Sequence, residues 1–253
     1  MRQLSDLLAS LPLPPVDREA PPARLDDRLL VGLGAGLPAG HVHVWGGTQG
    51  AGKTALLLAM LHRAAAHGRR VLYATYDLPP ETLALRLLAR GAGVEADALA
   101  QGRLAPADAA RAARLRHALE GAPFHVLPAR GLGVASLEDR LVRMPYRAEV
   151  LAVDYLQAVV REPGSDVGLA LRDLAALATR LHVAVVCALR AEPATAGAPA
   201  PLEGLPLERA DRVGWVEPAQ RPGQVAASVV RNRHGQRSDR PVTLDASGEV
   251  SGS

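Results

Sequence analysis

A glycine-rich segment that ends in a lysine and a threonine constrains this chain more than any other feature. Residues 47–54 read Gly-Thr-Gln-Gly-Ala-Gly-Lys-Thr, which satisfies the G-x-x-x-x-G-K-[ST] pattern of a phosphate-binding loop. The chain has 29 lysine and arginine residues, and Lys53 is the only lysine among them. An ammonium is a compact point charge that can lie between phosphate oxygens, whereas a guanidinium is a broad planar fork. A single lysine at this position favours a phosphate site over a chance match in a glycine- and alanine-rich chain.

The residues on either side of the loop supply the local structure that such a site requires. Residues 41–45 are mostly apolar and predict a short strand, and residues 54–67 combine helical periodicity with strong helix formers. A strand, a glycine loop and a helix in this order aim backbone N–H groups and the positive end of the helix at a phosphate. We therefore expect residues Gly47, Thr48, Gln49, Gly50, Ala51, Gly52, Lys53 and Thr54 to bind a nucleotide.

Composition places the chain among globular cytoplasmic proteins. Hydrophobic residues make up 48% and charged residues 22%, which is enough for one large α/β domain. The sequence holds no run of about 18 apolar residues, and Asp6 precedes any apolar stretch, so neither a membrane span nor a signal peptide is expected. The single cysteine, Cys187, lies in an apolar run and reads as a small buried hydrophobe.

The charge balance permits a nucleic-acid partner without establishing one. The net charge is +3 and the pI is about 9.5, as in many proteins that bind nucleic acid. A genomic composition bias explains the high arginine content equally well. Aromatic residues are only 3% of the chain, too few for a base-stacking platform. Any contacts with nucleic acid should therefore be made to its phosphates. The eight histidines show no metal-ligand spacing, and His41 and His43 read as structural residues.

Two regions follow from the distribution of prolines. Residues 1–10 predict a short amphipathic helix, and the proline-rich residues after it predict a linker, so we assign 1–23 to a helix and linker. Such a helix could cap its own domain or dock on a neighbouring subunit. Residues 24–253 are expected to form the compact domain.

Apolar runs alternate with helical stretches along this domain. The runs predict strands at 71–76, 124–127, 150–153 and 183–189, and the helical stretches are 81–92, 107–120, 135–144 and 168–181. This alternation predicts an α/β fold with a mostly parallel central sheet flanked by helices. Three further runs, at 213–216, 225–231 and 241–244, lack intervening helices and predict antiparallel strands at the C-terminal edge. Residues 191–206 are expected to form a mobile loop.

Acidic residues follow two of the predicted strands. Asp154 ends the run 150–153, where phosphate-loop enzymes place a carboxylate that helps to hold magnesium, and Thr54 would supply a hydroxyl ligand. Helix capping is the alternative role for Asp154. Asp77 follows the run 71–76 and could orient the attacking water. Glu81 is its local competitor, although its place in the first turn of the next helix suits a dipole partner better.

Three segments resemble the RecA-like motor domain of DnaB-type replicative helicases. The most specific is Tyr76-Asp-Leu-Pro-Pro-Glu-Thr-Leu-Ala-Leu-Arg-Leu-Leu88, followed by Asp154-Tyr-Leu-Gln157 and then Val229-Val-Arg-Asn-Arg-His-Gly235, which is similar to a basic finger strand. The resemblance covers about residues 25 to 245. It implies a RecA-like phosphate-loop ATPase that uses ATP and Mg²⁺.

The resemblance also implies roles for individual residues. Lys53 and Thr54 would hold the phosphates and magnesium, Asp154 would hold magnesium as well, and Gln157 and Arg190 would border the nucleotide. Arg231 and Arg233 would reach the γ-phosphate bound by the adjacent subunit of a hexameric ring. Alternate residues of a strand project from the same face, which suits a pair of arginine fingers. Without the resemblance, the same residues would read as a solvated strand edge.

The chain departs from the family pattern at three places. The family's catalytic glutamate is Asp77 here, which withdraws the carboxylate by about 1.5 Å, and misplacement on this scale can cost about a hundredfold in rate. The family's polar sensor, usually glutamine, is Arg190, which could sense the γ-phosphate or hinder coupling. The expected DNA-binding loop is short, at residues 161–165, and leaves Arg161 and Arg172 as candidates for contact with single-stranded DNA.

We expect a cytoplasmic, ring-forming ATPase that moves along single-stranded DNA. One alternative is a slow or non-hydrolysing switch or scaffold that acts through assembly with partners. The substitutions at Asp77 and Arg190 and the short loop favour this alternative. A phosphate-loop kinase is a third reading, which predicts a monomer with an arginine-bearing lid.

Overall fold

The computed structural model of the chain describes residues 1–14, 36–159, 166–191, 206–221, 224–234 and 241–244. The predicted linker beyond residue 14, Arg161 and most of the expected loop at 191–206 lie outside these ranges.

One sheet organises the described residues. Its nine strands run in the order β1-β4-β3-β5-β6-β2-β7-β8-β9. The strands are β1 (Arg2–Gln3), β2 (Val42–Gly47), β3 (Val71–Thr75), β4 (Phe124–Pro128), β5 (Val150–Asp154), β6 (Ala184–Arg190), β7 (Arg212–Pro218), β8 (Val225–Asn232) and β9 (Val242–Leu244).

Helices connect the strands at the places where the sequence predicts them. They are α1 (Leu4–Leu8), α2 (Lys53–Ala66), α3 (Pro80–Ala92), α4 (Ala96–Ala100), α5 (Pro106–Leu119), α6 (Val134–Val142) and α7 (Val167–Leu181), with a 3-10 turn at Leu156–Ala158. The five longer predicted helices are present within two residues of their expected ends. The short helix α4 is an addition that the sequence pattern did not predict.

The prediction of a mostly parallel sheet with an antiparallel C-terminal edge is confirmed. Strands β4, β3, β5, β6 and β2 are parallel neighbours, and β7 continues the parallel set beside β2. At the C-terminal edge, the antiparallel pairing begins with β8 against β7, followed by β9 against β8. Because β7 enters the sheet in the parallel direction, its N-terminal end lies beside the N-terminal end of β2.

Strand alternation sends side chains into two apolar layers. Val71 and Tyr73 point to the layer that contains α1, α2, α3 and α5, whereas Leu72 and Ala74 point to the layer that contains α6 and α7. Helix α2 is buried along most of its length, from Leu56 to Ala65. Full burial of a leucine stabilises the fold by about 1.5–3 kcal/mol, so this central helix holds the phosphate loop on a rigid support.

The N-terminal helix packs on its own chain. The side chains of Leu4, Leu7 and Leu8 are buried in the same layer as α3 and α5. Two residues before them form β1, which pairs antiparallel with β4 at the far edge of the sheet. Of the two expected positions, the structure shows the helix against its own domain.

The carboxyl ends of β2, β3, β5 and β6 meet at one edge of the sheet. Thr75 pairs with Asp154, and Gly47 pairs with Arg190, so the residues after these strands share that edge. Parallel α/β sheets bind ligands at this edge.

No helix among the described residues is long and apolar enough to cross a membrane.

Candidate nucleotide site

The glycine loop takes a shape that only glycine allows at two positions. Gly50 has φ 79° and Gly52 has φ 92°, both in the left-handed region that other residues rarely adopt. A Cβ on Gly52 would also lie 2.5 Å from a methyl group of Val225 on β8. The loop therefore follows β2 closely and turns directly into α2.

The N-terminus of α2 faces the loop without a side-chain cap. Gly52 is the N-cap residue, and the first turn holds no acidic residue. The first N–H groups of a helix have no partner within the helix, and they carry the positive end of its dipole. These groups suit a phosphate, which supplies both acceptor oxygens and negative charge.

Lys53 lies across the loop that it follows. Its Nζ donates to the carbonyl oxygens of Gly47 at 2.9 Å and Thr48 at 2.7 Å. Burial lowers the pKa of the ammonium below its ordinary value, Asp154 opposes this shift, and Arg190 adds to it. The ammonium is therefore held at the mouth of the loop, within the electrostatic reach of both Asp154 and Arg190.

Asp154 joins three elements of the site. Its Oδ2 accepts hydrogen bonds from the Thr54 hydroxyl at 2.8 Å and from the Tyr73 hydroxyl at 2.7 Å. Thr54 lies in the first turn of α2, Tyr73 lies on β3, and Asp154 ends β5. A hydroxyl and a carboxylate side by side next to a phosphate loop are the ligands that Mg²⁺ uses in such sites. The pair Thr54 and Asp154 therefore fits a magnesium ion.

Tyr73 is a member of the site that the sequence analysis missed. Its side chain is fully buried, and burial followed by the neighbouring Asp154 carboxylate raises the pKa of its phenol well above the ordinary value. It therefore stays a hydrogen-bond donor to Asp154. A tyrosine in the middle of a buried strand is a usable signal, because a buried phenol needs a polar partner.

Asp77 and Glu81 take different positions. Asp77 is exposed and lies two residues beyond Thr75, whose partner across the strands is Asp154. Glu81 forms an exposed ion pair with Arg2 near the opposite edge strand β1. Asp77 is thus at the nucleotide edge of the sheet, and Glu81 is engaged elsewhere.

Gln157 and Arg190 are tied to each other. The Arg190 backbone N–H donates to Gln157 Oε1 at 3.1 Å, and the Gln157 amide donates back to the Arg190 carbonyl. The Arg190 guanidinium lies 5.0 Å from the centre of the Tyr155 ring, within the range of a cation–π contact. The turn after β5 and the end of β6 are therefore coupled through two hydrogen bonds and one ring contact.

The two finger candidates lie far from the loop of their own chain. Val225 at the start of β8 packs on Gly52, and Arg231 is six residues further along the strand, which corresponds to about 20 Å. The Arg231 guanidinium donates to the carbonyls of Leu207 and Ala210, whereas Arg233 is exposed beyond the end of β8. Neither arginine is placed to contact a nucleotide on its own loop.

A cavity beside the loop adds two arginines that the sequence analysis did not select. It has a volume of about 440 Å³ and lies between α2 and the end of α3. Lys53, Thr54 and Leu58 line one side, and Arg86 and Arg90 line the other. The two arginines are four residues apart and so share a helix face, which gives the cavity a cationic wall.

Of the two candidate DNA contacts, the structure describes Arg172, which lies on another helix. Arg172 is exposed on α7 and pairs with the adjacent Asp173 at 2.9 Å. Arg161 lies outside the described residues. Arg172 is not among the residues that line the cavity beside the glycine loop.

The fold and the geometry of the site together identify the structural class of this domain. A mostly parallel sheet, a glycine loop after β2 that carries Lys53 and Thr54, and an acidic residue at the end of β5 make this domain a RecA-like phosphate-loop domain. The family model for the DnaB-like helicase C-terminal domain matches residues 26–191. The chain therefore belongs to the DnaB-like helicase C-terminal domain family, and the resemblance seen in its sequence is confirmed. The matched range ends before β7, so the arginines of β8 lie outside it.

Two solved structures show the same fold at low sequence identity. The ATPase domain of G40P aligns with a TM-score of 0.72 at 15% identity, over 84% of this chain and 84% of that one. A DnaB-like replicative helicase, in a structure that concerns its interactions with primase, aligns with a TM-score of 0.69 at 16% identity. That alignment covers 83% of this chain and 56% of the helicase chain, so the present chain spans little more than half of its length. No curated protein sequence matches the chain.

Proposed function

We propose that this chain is an ATP-hydrolysing motor domain that moves along single-stranded DNA as part of a hexameric ring. The direct contact between Thr54 and Asp154 at 2.8 Å is the observation that carries the proposal. These residues are separated by 100 positions in the sequence, and their meeting next to the glycine loop creates a magnesium-ready pair. Membership of the DnaB-like family supports the motor and the ring as parts of this proposal.

The glycine loop and α2 would hold the triphosphate. The backbone of residues 47–52 and the free N–H groups of Lys53 and Thr54 would bind phosphate oxygens. Lys53 would exchange the carbonyls of Gly47 and Thr48 for phosphate oxygens, which are stronger acceptors because they are charged. Thr54 and Asp154 would hold Mg²⁺, which neutralises charge on the phosphates.

Asp77 would orient the attacking water. Its exposure at the nucleotide edge, beyond a strand that pairs with the Asp154 strand, supports this role. Gln157 and Arg190 would report the state of the phosphates, because they tie the turn after β5 to the end of β6.

Arg231 or Arg233 would complete the site of a neighbouring subunit. Their separation of about 20 Å from their own loop supports a role in trans, since they have no reach in cis. An arginine supplied from a second subunit stabilises charge that develops on the transferred phosphoryl group.

Contacts to DNA would be made through phosphates, with Arg161 and Arg172 as candidates. The low aromatic content of 3% supports a phosphate grip over base stacking. We place the protein in the cytoplasm on the strength of this DNA substrate and its single cysteine.

The alternative is a switch or scaffold that binds ATP and hydrolyses it slowly. The position of Arg190 favours it, because its guanidinium rests on Tyr155 where the family presents a polar sensor. An aspartate at position 77 favours it as well, since its carboxylate is shorter by one carbon.

The test is steady-state ATP turnover with and without single-stranded DNA, alongside a mass measurement in solution. The motor proposal expects a hexamer whose turnover rises when DNA is added. Tight ATP binding with negligible turnover in both conditions would refute the motor and support the switch. A strict monomer with full turnover would refute the ring.

A further inference from the structure

Three side chains with metal-binding atoms meet at the edge of the sheet opposite the glycine loop. His41 immediately precedes β2, Asp211 immediately precedes β7, and His234 follows the end of β8. Strands β2 and β7 start at this edge because they are parallel, and β8 ends there because it runs the other way. One ligand atom from each of the three residues lies within 4.8 Å of the others.

The carboxylate of Asp211 is already oriented within this group. Its Oδ2 accepts the backbone N–H of Val42 at 2.8 Å, and its Oδ1 lies 3.1 Å from His234 Nε2. The His41 and His234 rings are 4.6 Å apart between centroids. The backbone just after β8 is held in place as well, because the Arg233 N–H donates to the Asp211 carbonyl at 2.9 Å.

This donor set and its spacing suit a transition metal. Neighbouring ligand atoms of a tetrahedral zinc site with bonds of about 2.0–2.2 Å lie roughly 3.4 Å apart. Asp211 and His234 are already at 3.1 Å, and the exposed His234 side chain is free to adjust toward His41. Two imidazoles and one carboxylate favour Zn²⁺ and similar divalent ions, whereas Mg²⁺ prefers oxygen ligands alone.

We infer that His41, Asp211 and His234 form a binding site for a divalent transition metal ion of the Zn²⁺ type, separate from the magnesium pair at the glycine loop. Three protein ligands leave one position of a tetrahedral ion for water. A bound ion would link the starts of β2 and β7 to the end of β8. It would therefore fix the backbone next to Arg231 and Arg233. This site does not depend on ATP hydrolysis or on DNA binding.

The test uses the full chain without a histidine tag, stripped of metal with a chelator and kept free of nucleotide. Zn²⁺ is titrated by calorimetry, and Co²⁺ is titrated by its visible absorption. We expect one ion per chain, no competition from Mg²⁺, and a higher thermal unfolding midpoint with Zn²⁺ present.

His234→Ala is the decisive variant because the side chain is 56% exposed and its removal should leave the fold intact. We expect its Zn²⁺ affinity to fall by about a hundredfold or more, since loss of even an outer partner of a metal ligand costs 10–100-fold. The zinc-dependent rise of the unfolding midpoint should vanish with it. His117→Ala, at a partly exposed histidine on α5 that is 35% exposed, is the control and should bind Zn²⁺ like the wild type. Wild-type protein that binds no Zn²⁺, or a His234→Ala variant that binds it equally well, would overturn the site.

Discussion

The hydroxyl of Thr54 donates to the carboxylate of Asp154 across 2.8 Å and so joins the first turn of α2 to the end of β5. The same carboxylate oxygen accepts the hydroxyl of Tyr73 at 2.7 Å. One oxygen atom thus collects two donors from two different elements. Within the part of the chain that the structure describes, the other carboxylate oxygen accepts no hydrogen bond, and this arrangement suits the proposed magnesium role.

Removing the Tyr73 hydroxyl tests whether this orientation matters. Tyr73→Phe should destabilise the fold by about 1–3 kcal/mol, because a buried carboxylate loses a hydrogen bond. The Mg²⁺ concentration needed for half-maximal turnover should rise by roughly tenfold, as expected when an outer partner of a metal ligand is lost. Thermal unfolding and a magnesium titration of ATP turnover measure the two effects.

Tyr146→Phe is the matched control for this change. The Tyr146 hydroxyl is buried and contacts no hydrogen-bonding partner among the described residues. Removal of the hydroxyl at this position should therefore leave the magnesium requirement unchanged. It should also destabilise the fold by less than Tyr73→Phe does. Equal effects of the two variants would argue against an orienting role for Tyr73.

Lys53→Arg tests why the chain uses one lysine among 29 basic residues. The Lys53 ammonium donates to both the Gly47 and the Thr48 carbonyls. A guanidinium is a broad planar fork and cannot act as a compact point charge between phosphate oxygens. We expect kcat/KM for ATP to fall by about a hundredfold or more, the usual cost of losing one preorganised donor. The reverse exchange at exposed Arg114 should leave turnover unchanged. A Lys53→Arg variant with wild-type turnover would contradict the assignment.

In the proposed mechanism, the rate of ATP hydrolysis depends on the carboxylate of Asp77. Asp77→Ala should lower kcat by about a hundredfold or more, which is the typical contribution of a positioned general base. Asp77→Glu extends the carboxylate by about 1.5 Å and should retain or raise kcat, by up to about a hundredfold. Glu81→Ala is the local control, because Glu81 is paired with Arg2 and should not affect turnover. Wild-type kcat in Asp77→Ala would exclude Asp77 as the base.

The arrangement of strands and helices could be predicted from the sequence because each element has a strong local pattern. Four-residue apolar runs such as 150–153 and the helix after Lys53 carry their own signals. The direction of β7 could not be predicted in this way. Its neighbour is β2, about 170 positions earlier, and pairing at that range is decided by the packing of the sheet.

The site was predictable only as far as its motifs reach. Lys53, Thr54 and Asp154 follow from patterns of residue type and spacing. For Tyr73 the sequence indicates only that a buried phenol needs a polar partner, and it does not identify Asp154 as that partner. Arg86 has no such signal, because its place beside the loop arises from the tertiary fold. The same holds for His41 and His234, whose spacing in the sequence is not typical of metal ligands. They meet because the start of β2 and the end of β8 lie at the same edge of the sheet, on either side of β7.

His62 should make the protein less stable in mild acid. Burial, with a smaller contribution from Arg63, lowers the pKa of His62 from 6.5 to about 4. Between these values the unfolded chain binds the proton and the folded chain does not, so the free energy of unfolding falls as the pH falls. This contribution is complete above pH 6.5 and is lost progressively down to about pH 4. His62 alone should contribute about 1.4 kcal/mol per pH unit to the slope near pH 5.

Urea unfolding between pH 5 and pH 7.5 measures this slope. His62→Gln and His62→Met should both reduce it by about 1 kcal/mol per pH unit near pH 5, because neither replacement titrates. Two replacements of different polarity separate the titration from any change in packing. If both variants keep the wild-type slope, the lost stability in acid has another source.

The positions of Arg231 and Arg233 predict that two inactive variants can restore each other. Arg233 is exposed beyond β8, so Arg233→Ala should leave the fold and ATP binding intact while lowering turnover by 10³-fold or more, the usual contribution of an arginine finger. Arg231→Ala is tested in the same way, with its unfolding midpoint as a check, because Arg231 also holds the carbonyls of Leu207 and Ala210.

Mixing the finger variant with Lys53→Ala distinguishes action in trans from action in cis. In a ring, some interfaces then combine an intact loop from one variant with an intact finger from the other. Random assembly of equal amounts makes about one quarter of the interfaces complete, so turnover should rise to roughly that fraction of the wild-type rate. If the finger acted on its own loop, no complete site could form in the mixture. Turnover that stays at the level of the separate variants, in rings shown by mass to contain both, would therefore refute the trans assignment.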